Sequence, residues 1–314
     1  MRIGSSRREF LRAAAVSAAG LSLSALASRR ALGRSATEPL GATVINDNVV
    51  QITGLGTNAV IVTSPDGALM VDCGAAERSS DLLRFVTKYP GGGRVNTLYN
   101  THWHWDHTGG NERFAKAGAK LAAHENTKLW LGADFYSDWE HKAYKPRPRE
   151  AWPTQTFYTS GKTTIGKDDV VYGYLPRAHT DGDIYIFLPR QNVLVAGDLV
   201  SVGSYPILDV TTGGWIGGMT DASKALLGVV DAKTIIIPGS GPVQTRADLQ
   251  AQSDMLATMN DRLKGLLRKG MGTDDLLAQP PTKEFDAKWG DPKLFLVNAY
   301  RGLWGHVREL GGIV

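Results

Sequence analysis

Ten consecutive residues hold the densest chemistry in this 314-residue chain: Thr101-His102-Trp103-His104-Trp105-Asp106-His107-Thr108-Gly109-Gly110. Three of its seven histidines and one aspartate fall within six positions there. On an extended backbone, His102 and His104 point to the same side, because side chains alternate with period two. A turn after them re-aims Asp106 and His107 toward a neighbouring point. Imidazoles and carboxylates that converge in this way suit zinc, which takes imidazole nitrogen at about 2.0–2.1 Å. The set contains no thiolate, and nitrogen and oxygen donors favour Lewis-acid hydrolysis over redox work. The alternative is a polar surface loop, and the density of ligand types argues against it. The lone cysteine, Cys73, excludes an internal disulfide framework and an all-cysteine zinc site. Cys73 reads as a small apolar filler.

The elements that must position this cluster are short and β-rich at first. Runs at Thr43–Ile45, Val49–Ile52, Ala59–Thr63 and Ala68–Asp72 are separated by turn signals such as Ser64-Pro65-Asp66-Gly67, which predicts a meander of hairpins. A helical period covers Ser80–Tyr89 and stops at Pro90-Gly91-Gly92-Gly93. Strand Val95–Asn100 then runs straight into the histidines. A helix at Asn111–Ala117 and a strand at Lys120–His124 follow, and Asp134–Pro153 reads as a long loop or lid. The second half repeats the pattern. Strands Val170–Leu175, Asp183–Leu188 and Val193–Ala196 come before a helix at Ala222–Val230 and a buried strand ending at Pro238. Residues Arg246–Lys269 form a long amphipathic helix, and two shorter helical segments finish the chain. Strands followed by helix, twice over, predict sheets covered by helices rather than a parallel doubly wound sheet. The fold class is α+β, with residues 35–314 as a single domain.

Charge and composition exclude other classes. With 42% hydrophobic and 21% charged residues, the chain has material for a large core. Its net charge of +4 suggests a polyanion partner until the charge is located. Residues 1–34 carry +6, so the remaining 280 carry −2, which gives no support for nucleic-acid binding. Residues 1–34 read as an export signal with a disordered start. Ser6-Arg7-Arg8-Glu9-Phe10-Leu11 resembles the twin-arginine motif, Ala13–Leu26 is weakly apolar, and Ala25-Leu26-Ala27 offers cleavage after Ala27. An amphipathic N-terminal helix is the alternative. The reading implies a periplasmic or secreted protein that meets a membrane only during export.

His102-x-His104-x-Asp106-His107 resembles the signature of the metallo-β-lactamase superfamily, and further landmarks follow in that family's order. Val71-Asp72-Cys73-Gly74 is similar to its structural aspartate turn, and Ala178-His179-Thr180-Asp181-Gly182-Asp183 to the segment that supplies a third histidine. Val195-Ala196-Gly197-Asp198 resembles the strand end with a bridging carboxylate, and Ile237-Pro238-Gly239-Ser240-Gly241-Pro242 the final ligand loop. The resemblance implies an αββα four-layer sandwich with metal at one edge. It implies one zinc site of His102, His104 and His179, and a second of Asp106 and His107, with Asp198 bridging. Ser240 departs from the pattern, because the family usually has histidine there. The second zinc is then weakly held, completed by water or substrate through Ser240, or served by another residue. His141, His124 and His306 are the histidines left for that role.

A divalent ion lowers the pKa of water from about 15.7 to about 7, so hydroxide becomes available at neutral pH. The expected reaction is hydrolysis of an acyl bond in a small molecule, a β-lactam, lactone or ester, with Asp106 accepting or orienting the proton. Asp198 stands where the family's β-lactamases usually carry cysteine or serine, which favours its lactone- and ester-type members. Export favours a lactam. Nuclease and glutathione-thioester readings are weak, and a diiron centre expects a carboxylate where His104 stands. The alternative to an enzyme is a binding protein for a small ligand with a degenerate metal site. Trp103, Trp105 and Tyr205 are candidates for substrate contact, with packing as the alternative for the two tryptophans. Asp181 or Asp183 is expected to accept an imidazole N–H or to shape a turn, and Asp72 to orient a ligand.

Overall fold

The strand pattern read from the sequence closes into two main sheets. A computed structural model describes residues 39–309. The twin-arginine segment and the cleavage site at Ala27 lie outside the described residues. The first sheet begins with β1 (Gly41–Asn46), β2 (Val49–Thr53), β3 (Ala59–Ser64) and β4 (Gly67–Val71), an antiparallel meander. Helix α1 (Ser79–Lys88) leads to β5 (Val95–Tyr99), which pairs parallel to β4. The short α2 (Trp105–Thr108) and α3 (Asn111–Lys116) come before β6 (Lys120–His124). After α4 (Glu125–Leu131), β7 (Phe135–Ser137) and β8 (Lys142–Tyr144) make a separate two-stranded hairpin. Strand β9 (Gln155–Phe157) completes the seven-stranded sheet in the order β1-β2-β3-β4-β5-β6-β9.

The second sheet holds β10 (Gly161–Ile165), β11 (Asp168–Tyr174), β12 (Ile184–Leu188) and β13 (Val193–Gly197) as antiparallel neighbours. Helix α5 (Ile216–Val229) crosses over to β14 (Ile235–Pro238), which pairs parallel to β13. The chain continues through α6 (Arg246–Arg268), α7 (Thr273–Ala278), α8 (Asp286–Trp289) and α9 (Lys293–Glu309).

Alternation along the strands builds the layers. Val60, Val62, Leu69 and Val71 face Ile184, Ile186, Val193, Val195 and Ile237 of the other sheet, forming a core between the sheets. Their sequence neighbours Ile61 and Met70 face outward onto Leu82 and Val86 of α1 and Phe114 of α3. Leu194, Ala196 and Ile236 face the other way, onto Met219 and Leu226 of α5 and Met255, Leu256 and Met259 of α6. Period two in the strands and the i, i+4 stripe in the helices thus give three apolar interfaces and four layers, helix–sheet–sheet–helix. This is the αββα sandwich expected from the sequence.

Two local expectations need correction. The Asp134–Pro153 lid contains the β7–β8 hairpin and a 3-10 turn at Arg149–Ala151, so it is more ordered than a loop. The sheets are mixed, with parallel pairs at β4-β5-β6-β9 and β13-β14. Three helices follow α6 instead of two.

Candidate metal centre

Four strand ends deliver the side chains to one edge. Asp72 follows β4, the histidine loop follows β5, Asp198 follows β13, and Gly239-Ser240 follows β14. His179 lies in the turn between β11 and β12. Ligand atoms of His102, His104, His179 and Asp198 all lie within 4.8 Å of one another. The three imidazoles are buried, at 1%, 7% and 1% exposure, while the Asp198 side chain keeps 27% and opens the cluster to solvent.

Hydrogen bonds behind each ring decide which nitrogen faces inward. A carboxylate only accepts, so the His104 Nε2 that lies 3.1 Å from Asp209 Oδ2 carries the proton. The Ile207 carbonyl fixes His179 in the same way, through Nδ1 at 2.8 Å. That leaves His104 Nδ1 and His179 Nε2 as bare lone pairs 3.1 Å apart. Thr101 Oγ1 donates its only proton to Asp72 Oδ2 at 2.7 Å, so at 3.0 Å it accepts from His102 Nδ1. The buried Nε2 of His102 is then unprotonated and has no hydrogen-bond partner. His107 donates Nδ1–H to Asp72 Oδ2 at 2.8 Å, and its buried Nε2, also without an aligned partner, lies 3.3 Å from Asp198 Oδ1. Buried lone pairs that face one another are costly unless something positive sits among them. The donor set fits a divalent zinc-type ion.

The charge balance agrees. Burial pushes His102 well below the ordinary 6.5, and His107, His104 and His179 add repulsion. Burial and the nearby His104 lower His179. Burial opposes a proton on His107, yet the charges of Asp198 and Asp72 lift its pKa well above 6.5. Burial alone would raise Asp198, but His107, His179 and His102 hold its carboxyl well below 3.8. Asp198 Oδ2 faces His179 at 3.6 Å and His102 at 4.0 Å, while Oδ1 faces His107. One carboxylate therefore faces both groups of imidazoles. Gly239 makes this approach possible, because a Cβ there would stand 1.9 Å from Asp198 Oδ1.

The remaining sequence candidates fall in different places. Asp106 is exposed in the first turn of α2, outside the four-residue cluster, and its charge reaches His104. Ser240 is exposed beside Gly239. Trp105 is half-buried against Tyr144 at 5.0 Å, with Lys142 and Arg147 over its ring. Trp103 is 0% exposed, donates to Thr212 Oγ1 and packs under His104, so packing and not substrate contact is its role. Tyr205 is also buried; its hydroxyl donates to Asp286 Oδ1 at 2.8 Å, which removes it from the site. His141 is at the exposed hairpin tip, His124 stacks on Tyr174, and His306 stacks on Trp215, so none of them joins the cluster. Asp183 accepts from the backbone and side chain of Thr180, and Asp181 from Trp130, so both shape the turn around His179. Asp72 orients His107 and, through Thr101, His102. Sequence reasoning missed Asp209. Its only local signal is the N-cap of the Val210–Thr212 3-10 turn.

Comparison with known proteins followed the same lines. The family model described as the metallo-beta-lactamase superfamily matches residues 52–243. A curated relative, metallo-beta-lactamase type 2 of Elizabethkingia meningoseptica, is 26% identical over 156 residues, covering 50% of this chain and 57% of that protein. Among solved structures, a metallo-beta-lactamase from Pontibacter korlensis has a TM-score of 0.57 and 22% identity, covering 69% of this chain and 99% of that one. A stereoselective inverting sec-alkylsulfatase from Pseudomonas sp. has a TM-score of 0.63 and 19% identity, covering 83% of this chain and 50% of that one.

Proposed function

Because the chain belongs to the metallo-β-lactamase superfamily, we propose that it is a zinc-dependent hydrolase that opens an acyl bond of a small molecule, a β-lactam, lactone or ester, in the periplasm or outside the cell. The observation that carries this reading is the set of imidazole lone pairs turned inward by Asp209, the Ile207 carbonyl, Thr101 and Asp72. When bound there, a divalent ion supplies Lewis-acid polarisation and acidifies water.

The chain's own residues divide the remaining work. His102, His104 and His179 would hold the first metal, and His107 and Asp106 would serve the second, with Asp198 facing both groups. Asp106, exposed in the first turn of α2, would accept or orient the proton of the attacking water. Trp105, half-buried with Tyr144, Lys142 and Arg147 around its ring, is the aromatic candidate for substrate contact that remains. Ser240 brings no imidazole, so the second position is the weaker one, reached at most through water. The charge of −2 outside the first 34 residues suits a small substrate better than a polyanion. The twin-arginine motif supports the location. The binding-protein alternative rests on Ser240 alone, and the first position lacks no donor.

The test combines zinc content with hydrolysis of chromogenic lactam, lactone, ester and alkyl sulfate substrates, for wild type, Asp106→Ala and Ser240→His. Wild type should hold at least one zinc and cleave an acyl substrate. Asp106→Ala should lose about 10²–10⁴ in rate, the usual contribution of a positioned acid or base. Ser240→His should bind the second zinc more tightly. A zinc-free wild type that leaves the whole panel intact rejects the hydrolase. Unchanged zinc affinity in Ser240→His means that another group completes the second position.

A further inference from the structure

The β7–β8 hairpin is hydrogen-bonded through its backbone to neither main sheet, so side chains must hold it over the site. Most of those ties run to the first half of the fold. Phe135 stacks on Tyr144 at 5.2 Å, and both pack edge-on against buried Trp103. One tie is different. Trp139, in the turn between the two strands, donates its indole N–H to Asp209 Oδ1 at 3.0 Å, across 70 positions of sequence. Its half-buried ring stands 5.9 Å from that of His104.

Asp209 is 0% exposed, and its two oxygens have separate duties. Oδ2 takes the His104 Nε2 proton and the Thr212 hydroxyl, while Oδ1 takes Trp139 and the backbone N–H of Thr211 at 3.1 Å. Thr212 N–H reaches Oδ1 only at 3.4 Å. Among the described residues, Trp139 is thus the one side chain on Oδ1, and without it this oxygen keeps only backbone donors from its own turn. A buried carboxylate that loses a donor rotates or draws in water, and either change moves the acceptor that fixes the His104 tautomer.

We infer that Trp139 is a positioning residue: from the hairpin it holds the Asp209 carboxylate that aims His104, so lid placement and the first metal position are set together. A substrate that lifts the hairpin would loosen His104. A metal that seats His104 firmly would hold the hairpin down. The inference rests on the metal reading proposed above.

Its test measures zinc affinity by competition with a chromogenic chelator, and the visible spectrum of the cobalt-substituted protein. Trp139→Phe keeps an aromatic ring but removes the N–H together with the second ring. It should weaken zinc binding by about tenfold, the lower range for loss of an outer hydrogen bond to a ligand, and should alter the cobalt bands. Trp139→His restores a ring N–H at nearly the same reach, because imidazole overlays the five-membered ring of indole, and should recover most of the affinity. Tyr136→Ala, on the same hairpin but 51% exposed, should leave both readouts unchanged. Melting of the metal-free variants controls for folding. Wild-type affinity in Trp139→Phe overturns the inference, as does an equal loss in Tyr136→Ala, which would make the hairpin a mere cover. Absence of zinc binding in wild type instead rejects the metal reading itself.

Discussion

At the residue scale, donor chemistry is written in side-chain identity. His102 and His104 were therefore recoverable from the residues themselves, His179 and Asp198 through the family resemblance, and the fold brings all four within 4.8 Å. Orientation is not written there. Asp209 reaches His104 across 105 positions, and no local pattern announces that its second oxygen faces an imidazole. The missing signal cuts the other way for Trp103 and Tyr205: aromatic residues near a site read as contacts, yet both are buried among other side chains. Gly239 shows how tightly the residue level is set. A Cβ there would meet Asp198 Oδ1 at 1.9 Å and His107 Cε1 at 2.9 Å, so Gly239→Ala must displace the shared carboxylate. Chelator competition should show zinc affinity lower by at least about 10–100-fold, the cost of disturbing a ligand's support, in a protein that still folds. Wild-type affinity in this variant would refute the role given to Asp198.

At the element scale, segments with a clear apolar pattern were legible and short polar ones were not. The expected strand Lys120–His124 matches β6, and the expected helix Arg246–Lys269 matches α6 within one residue. Strands β9 and β10 were missed because Gln155-Thr156-Phe157 and Gly161-Lys162-Thr163-Thr164-Ile165 are polar and become strands only by pairing with β6 and β11. Helix α6 also carries a legible start. Thr245 Oγ1 accepts from the Asp248 backbone, and the Asp248 carboxylate accepts from Thr245 N at 3.0 Å, which closes a capping box. Thr245→Ala should cost about 0.5–2 kcal/mol in denaturant unfolding and leave zinc content unchanged. A change in metal binding would mean that α6 is coupled to the site more directly than its place in the outer layer implies.

At the scale of the whole molecule, the carboxylates around the buried histidines and the burial of Asp183 set a pH dependence that no single element would show. Without metal, His107 stands well above 6.5 and His104 above it, while burial pushes Asp183 up to about 8. The raised histidines contribute stability that is complete below 6.5 and is lost as pH rises through their folded-state values. Asp183 keeps in the folded protein a proton that the unfolded chain gives up above 3.8, so its share also falls as pH climbs toward 8. These three have the same sign, and His102 and His179, both lowered, have the opposite sign but act mainly as pH falls below 6.5. Chelator-treated protein should therefore melt at a lower temperature at about pH 8.5 than at about pH 6.5. A flat or rising trend would contradict the charge arrangement described for His107 and Asp183.

The sequence by itself determined the layered class, the order of the elements and the histidine-rich donor loop, because hydrophobic period and ligand chemistry are local properties of the chain. Val60-Ile61-Val62 and Leu69-Met70-Val71 alternate between two cores whatever stands opposite them. Only the tertiary structure decided which nitrogen each histidine turns inward, that Asp209 and Ile207 hold two of the rings from behind, and that Trp139 reaches in from a separate hairpin. Those decisions depend on hydrogen bonds between residues tens of positions apart. Their partners are chosen by the packing of the two sheets, which no stretch of sequence contains.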